Sequence, residues 1–316
     1  MVAIACDNID KLLCVEMRRK GLPRGFKWPL YETARAMSDR PLVLAGAELL
    51  NVSASRIAIV TGAAVPDHMP LGENDGPFGA TVLAGTLTRI GHSVSILTDP
   101  ACTPPIEFLL KRASLPVPVV QLKLHDKAQQ TELAGQFDIL VAIERLGGNQ
   151  TGRLHGVNGV NRDAFRCNVD HLFLRHAESD RRSLAIGDGG NEIGFGGIRT
   201  QLMERLPEFS QTDKVEGGIF SVIATSVLVV AGTSNLGAYG VSAALALLKG
   251  DASLCHDPQE EVALHQIGVG LGLVDGGGGG AIPWCDGIPA EANAAIVLLM
   301  KNIVERTLEA PRLRKF

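Results

Sequence analysis

The chain has 316 residues, 46% hydrophobic and 20% charged, enough to bury a core and too apolar for a disordered polymer. Its net charge of −4 excludes the strongly basic surface that nucleic acid or an anionic membrane would call for, and neither partner is expected. Glycine is the outlier at 36 residues, against roughly 7% in average proteins, while aromatics make up only 4%.

No Gly-X-Y repeat runs through the chain, so a collagen helix is excluded. The glycines cluster instead: eleven lie between Gly147 and Gly197, and six between Gly276 and Gly287. Six scattered cysteines include no CxxC pair, which argues against a zinc knuckle or a disulfide framework. The first residues, MVAIACDNID, lack a basic stretch and meet Asp7 early, unlike a secretory leader. The longest apolar run, Ile219 to Gly232, is too short for a bilayer span. A reducing setting is expected, the cytoplasm or, in a eukaryote, the mitochondrial matrix.

In chain order, residues 1–50 read as an N-terminal helical layer. Leu12, Leu13, Val15 and Met17 form one short amphipathic stretch and Leu42 to Leu50 another, with Pro23, Gly25 and Pro29 breaking the interval. Ile57 to Val60 reads as a strand, followed by a Pro/Gly-rich loop and a helix from Gly79 to Ile90. Strand Val94–Leu97, helix Ile106–Ala113, strand Val117–Leu122, helix Lys127–Ala134 and strand Asp138–Ile143 follow. After Arg145 comes a long Gly/Asn segment to Asp163, then a helix from Ala164 to Ala177 and a strand from Ser183 to Ile186. Ile219–Ala231 contains a buried strand, Ser234 and Asn235 look like an N-cap before helix Ala238–Leu248, Glu261–Leu273 is mixed, and Ala290–Leu308 is the clearest helix. The alternation predicts one α/β domain over residues 1–316: a mostly parallel sheet, helices on both faces, and residues 1–50 as an elaboration.

Ligands of open α/β sheets bind beyond the carboxyl ends of the strands. The strand ends here are Thr61-Gly62, Thr98-Asp99, Glu144-Arg145, Gly187-Asp188 and Ser234-Asn235. Asp99, Glu144 and Asp188 bring three carboxylates to one edge. Converging carboxylates repel unless they are protonated or hold a cation, and a hard divalent ion is the natural counter-charge. Each acid alone could equally cap the helix that follows it. The densest cluster is GDGGNEIGFGG at 187–197, where Asp188 and Glu192 share a face if the segment is helical and Asn191 adds an amide. NDGPFGA at 74–80 sets Asp75, as ligand or cap, beside Gly76 and Gly79 at a helix start, where free amides suit an anion. In AIERLGG, Glu144 and Arg145 could pair. Ser234 and Asn235 could bind substrate or cap. Asp275 and Asp286 flank a five-glycine run expected to be a mobile loop. No Walker A loop, GxGxxG fingerprint, HExxH or GxSxG elbow occurs, so no nucleotide cofactor is expected.

The ordered set Thr61-Gly62, NDGPFGA, Thr98-Asp99-Pro100, AIERLGG, GDGGNEIGFGG, SNLGAYG and Val274-Asp275-Gly276 resembles the C-terminal domain of the D-glutamate cyclase family, from about Leu42 onward. Phe78, Phe195 and Leu236 depart from that family's pattern at apolar positions. The resemblance implies a hydro-lyase in D-amino acid metabolism that converts D-glutamate to 5-oxo-D-proline with loss of water, and it makes a divalent metal, Mn²⁺ or Mg²⁺, plausible. On this reading Glu144, Asp188 and Glu192 are the catalytic and metal-binding residues. Asp75, Gly76, Gly79, Asn191, Ser234 and Asn235 grip a small amino-acid substrate. A homo-oligomer is compatible with it. The alternative is a divalent-metal-dependent phosphatase or related hydrolase acting on a small anionic substrate.

Overall fold

The computed structural model describes residues 1–20, 22 and 24–309. The N-terminal layer holds three helices, α1 (Val2–Leu13), α2 (Lys27–Ala36) and α3 (Leu42–Leu50). Strand β1 (Arg56–Val60), helix α4 (Pro77–Arg89), β2 (Ser93–Thr98), α5 (Thr103–Arg112), β3 (Val119–Gln121), α6 (Lys127–Gln136) and β4 (Ile139–Ile143) alternate as expected. The second half adds α7 (Asp170–Ala177), β5 (Arg182–Gly187), α8 (Arg199–Arg205), α9 (Pro207–Ser210), β6 (Val227–Val230), α10 (Ser234–Lys249), α11 (Pro258–Gly270), the hairpin β7 (Trp284–Cys285) and β8 (Ile288–Pro289), and α12 (Ala290–Leu308).

Six strands form one parallel sheet in the order β3-β2-β1-β4-β5-β6. The chain winds outward from β1 in one direction and from β4 in the other, so a crevice opens beyond the ends of β1 and β4. Strand β4 is buried at all five positions, which is why it reads as an unbroken apolar run. The larger core lies between the sheet and α1, α3, α4, α10 and α12, and a second cluster built on Leu133, Val169, Leu172 and Phe173 covers the other face.

Several boundaries differ from expectation. The first helix ends at Leu13, with Ala5, Cys6, Ile9 and Leu13 as its buried stripe. Beyond it the chain leaves the helix and carries Arg18 toward the sheet edge. Asp10 on that helix accepts hydrogen bonds from Leu42 N (2.6 Å) and Val43 N (3.0 Å), capping α3, whose own N-cap is Pro41. Helix α2 forms despite Pro29, because a proline in the first turn loses no helical hydrogen bond. Pro23 lies outside the described residues. The helix expected from Ala164 begins only at Asp170. Cys167 is held in a loop, its N–H donating to Asp99 (3.1 Å) and its carbonyl accepting from Arg145 (2.5 Å). Of Glu261–Leu273, read as mixed, all but the last three residues are helical, in a helix that starts at Pro258 with Asp257 capping Gln259 N and Glu260 N.

Candidate active site

The segments AIERLGG and GDGGNEIGFGG zip together at the sheet edge. Ile193 N donates to the Arg145 carbonyl and Gly147 N to the Asn191 carbonyl, so residues 145–147 and 191–193 lie side by side. The segment after Asp188 is therefore not helical, contrary to the spacing argument. Gly190, at φ +90°, turns the chain where a side chain would be strained. The Glu192 carboxylate folds back and accepts the amides of Asp188 and Gly189, each at 2.8 Å. The anion that this turn's free N–H groups receive is thus its own Glu192. Asn191 donates to the His155 carbonyl at 2.8 Å and tethers the long loop.

Asp75 and Asn235 cap each other's helices. Asp75 precedes α4, yet its carboxylate accepts Ser234 N (2.9 Å) and Asn235 N (2.7 Å) at the start of α10, along with Gly76 N (3.0 Å). Asn235 Oδ1 accepts Gly76 N (2.9 Å) and Gly79 N (2.7 Å) at the start of α4. The sequence places Ser234 and Asn235 at the N-cap; that position is Thr233, whose hydroxyl accepts Leu236 N. Gly76 is the N-cap of α4 at φ +94°. A Cβ on Gly79 would stand 2.9 Å from Asn235 Cα, so the clasp requires glycine there.

The clasp delivers Asp75 to the crevice. Asp75, Glu144 and Asp188 each offer an oxygen, and the three lie within 4.8 Å of one another. Glu144 sits at φ +50°, a strained setting for a non-glycine residue at a strand end, and the Ser234 hydroxyl donates to its carboxylate at 2.5 Å. Burial foremost, and the neighbouring carboxylates after it, hold Glu144 and Asp188 well above the usual carboxylate range. The same causes push Asp75 up to about 7, against the three amides that favour its charge. Glu73 is pushed up to about 8 by burial, with Arg166 opposing. Burial also raises Glu192 against the pull of its amides.

Glu144 and Arg145 do not pair. Arg145 is fully buried and forks onto Asp99 at 2.8 and 2.9 Å, so Asp99 leaves the acidic group and braces the loop instead. Beside the carboxylates lies a cavity of about 280 Å³, lined by Glu73, Glu144, Asp188, Asn191, Gly276 and Asp286 among others, and by four cations, Arg18, Lys27, Arg162 and Arg166. The Lys27 ammonium contacts Asp188 and stands 3.7 Å from Asp286; Arg18 lies 3.3 Å from Asp286 and 3.8 Å from Asp188. Asp275 accepts the amides of Gly277 and Gly287, so the glycine run turns about that residue. Among the expected site residues, Asp75, Glu144 and Asp188 converge. Glu192 supports the turn under Asp188, Gly76 and Gly79 donate to Asn235, and Asn191 lines the cavity. Glu73 and the four cations were not singled out by sequence, since none lies at a strand end. Glu73 is the one with a signal, standing next to NDGPFGA.

A parallel doubly wound sheet with buried carboxylates at its switch point places the chain among the open α/β domains. Residues 30–301 match the family described as D-glutamate cyclase-like, C-terminal, and the chain belongs to that family. A human relative, D-glutamate cyclase, mitochondrial, is 27% identical over 198 residues, covering 58% of this chain and 31% of the relative. The match thus spans about a third of that relative's length. Among solved structures, a short-chain dehydrogenase/reductase from Serratia marcescens is 16% identical over 49% of this chain and 70% of its own, with a TM-score of 0.27. An alcohol dehydrogenase from Comamonas testosteroni is 14% identical over 63% and 70%, with a TM-score of 0.28. Similarity at that level carries no statement about function. Among the described residues no helix is long and apolar enough to cross a membrane.

Proposed function

We propose that the chain is a hydro-lyase that cyclises D-glutamate to 5-oxo-D-proline with loss of water. The observation that carries the reading is the cavity in which buried carboxylates and cations face one another, in a member of the D-glutamate cyclase-like family. Cyclisation forms a bond from the α-nitrogen to the δ-carbon and breaks one C–O bond of the γ-carboxyl group. The nitrogen passes from ammonium to lactam N–H and so gives up two protons, one before attack and one after it, and the departing oxygen takes up two to leave as water. Glu144 and Asp188 suit both duties. An ionised member accepts the amine proton, and a protonated member returns one to the leaving oxygen. Ser234 orients Glu144, and Glu192 positions Asp188 through its backbone. Folding the substrate within a small cavity supplies the entropic part.

The donor set also suits a hard divalent cation, Mg²⁺ or Mn²⁺, held by Asp75, Glu144 and Asp188. When bound, such an ion offsets charge on the carboxyl group under attack. Glu192, expected as a ligand, spends one oxygen on two amides. This reading takes a small-molecule substrate, needs neither nucleic acid nor membrane, and places the chain in a reducing compartment, cytoplasm or mitochondrial matrix, where its free cysteines persist. Glu144→Gln and Asp188→Asn test it. Each variant should fold and should lower formation of 5-oxo-D-proline, followed by NMR, at least a hundredfold. Near-normal turnover in both would remove these residues from the chemistry.

A further inference from the structure

The four cations of the cavity are not equivalent. Arg18 and Lys27 face Asp188 and Asp286, so each of these two cations has carboxylates within ion-pair distance. Arg162 and Arg166 stand apart from that group. Arg166 is only 5% exposed, and its hydrogen bond within the described residues runs from Nε to the Ala64 carbonyl at 3.2 Å. Its two terminal nitrogens have no carboxylate within ion-pair distance among the described residues. Glu73 and Asp99 act on it only across space. Arg162, four residues earlier, lines the same cavity, with its guanidinium about 6.0 Å from the Phe165 ring centroid and no carboxylate partner among the described residues. A Cβ on Gly156 would sit 3.1 Å from Arg162 Nη2, so a glycine clears the space this guanidinium fills. The loop is no accident of packing, since the Asp99–Arg145 pair pins Cys167 immediately after Arg166. A buried guanidinium with no carboxylate in direct contact is costly, and the cost is recovered when an anion enters.

We propose that Arg166 and Arg162 form the clamp for the substrate carboxylate that does not react. The clamp fixes the substrate class as an anion with a carboxylate at one end and, toward Glu144 and Asp188, an ammonium group and the second carboxyl group. This rests on the cyclase reading for the direction in which the substrate lies, but the clamp itself can be tested without turnover. Glutarate, a dicarboxylate that cannot cyclise, is titrated calorimetrically into the full chain and into Arg166→Gln, Arg162→Gln and Arg166→Lys. Wild type should bind it, Arg166→Gln should weaken binding at least tenfold, and Arg166→Lys should recover part of the loss. With D-glutamate the same variant should raise KM with kcat changed less than threefold. Arg166→Gln should also melt no lower than wild type, because it removes an unpaired buried charge; a structural arginine would give the opposite.

Glutarate binding that depends on Arg166 in a chain that does not cyclise D-glutamate would keep the clamp and remove the cyclase. Turnover of D-glutamate with unchanged KM in Arg166→Gln would do the reverse. No binding of glutarate by wild type overturns the clamp, as does a lower melting temperature with unchanged affinity. Inorganic phosphate is the second arm, and Arg166-dependent binding of phosphate tighter than that of glutarate would overturn the carboxylate assignment.

Discussion

Replacing Gly79 by alanine should reverse the usual effect of that substitution. Within a helix, alanine is favoured over glycine by about 1 kcal/mol. Gly79 is helical, in the first turn of α4, so propensity alone predicts a gain. The added Cβ would meet Ala238 Cβ and Asn235 Cα, both at 2.9 Å, and Asn235 Oδ1 at 3.1 Å. Two of these atoms cannot rotate away, so α4 and α10 must separate by several tenths of an ångström. Overpacking of this kind costs about 1–3 kcal/mol. Separation also stretches the bonds from Gly76 N and Gly79 N to Asn235, worth about 1 kcal/mol each. The sum is a loss of about 2–4 kcal/mol after the propensity gain is subtracted. Gly135 in α6 is the control, being helical, exposed and with nothing within 4 Å of an added Cβ. Gly135→Ala should gain a few tenths to about 1 kcal/mol. Urea unfolding followed by circular dichroism reads both as shifts of the midpoint at constant slope. A Gly79→Ala protein as stable as Gly135→Ala would refute the close-contact argument.

Two further outcomes are expected. Asp10, pushed up to about 6 by burial despite its two amide donors, binds its proton more tightly in the folded than in the unfolded chain, where it titrates near 3.8. Its ionisation therefore costs stability above pH 6, and the cost disappears as pH falls toward 4, an effect of up to about 3 kcal/mol. The stability of Asp10→Asn relative to wild type should accordingly be more favourable at pH 7.5 than at pH 4, and a difference independent of pH would contradict this. Chelator treatment should lower 5-oxo-D-proline formation at least tenfold, with recovery on adding Mn²⁺ or Mg²⁺; unchanged turnover in the metal-free chain would remove the cation from the site.

The strand ends were readable because β1, β2, β4 and β5 are short apolar runs closed by Thr, an acid or Gly. That pattern located Glu144 and Asp188 correctly at one edge. It could not separate Asp99 from them, because the partner that takes Asp99 out of the group, Arg145, is 46 residues away and looks by sequence like a mate for Glu144. Spacing also misled at Asp188 and Glu192, where four residues suggested a helical face and the glycines make a turn. The cations were invisible for a different reason. Arg18 and Lys27 arrive from the N-terminal layer, and Arg162 and Arg166 from a loop whose shape is set by a buried ion pair rather than by any local motif.

The mutual capping of α4 and α10 brings positions 75 and 235, 160 residues apart, into one structural junction. Each side chain satisfies backbone donors that the other's helix leaves open, so replacing either one strips a cap from the junction. Acidity at the reactive edge and the docking of two central helices are thus written in the same carboxylate. Loss of activity in an Asp75 variant is interpretable only beside its melting curve, because the same side chain holds the start of α10.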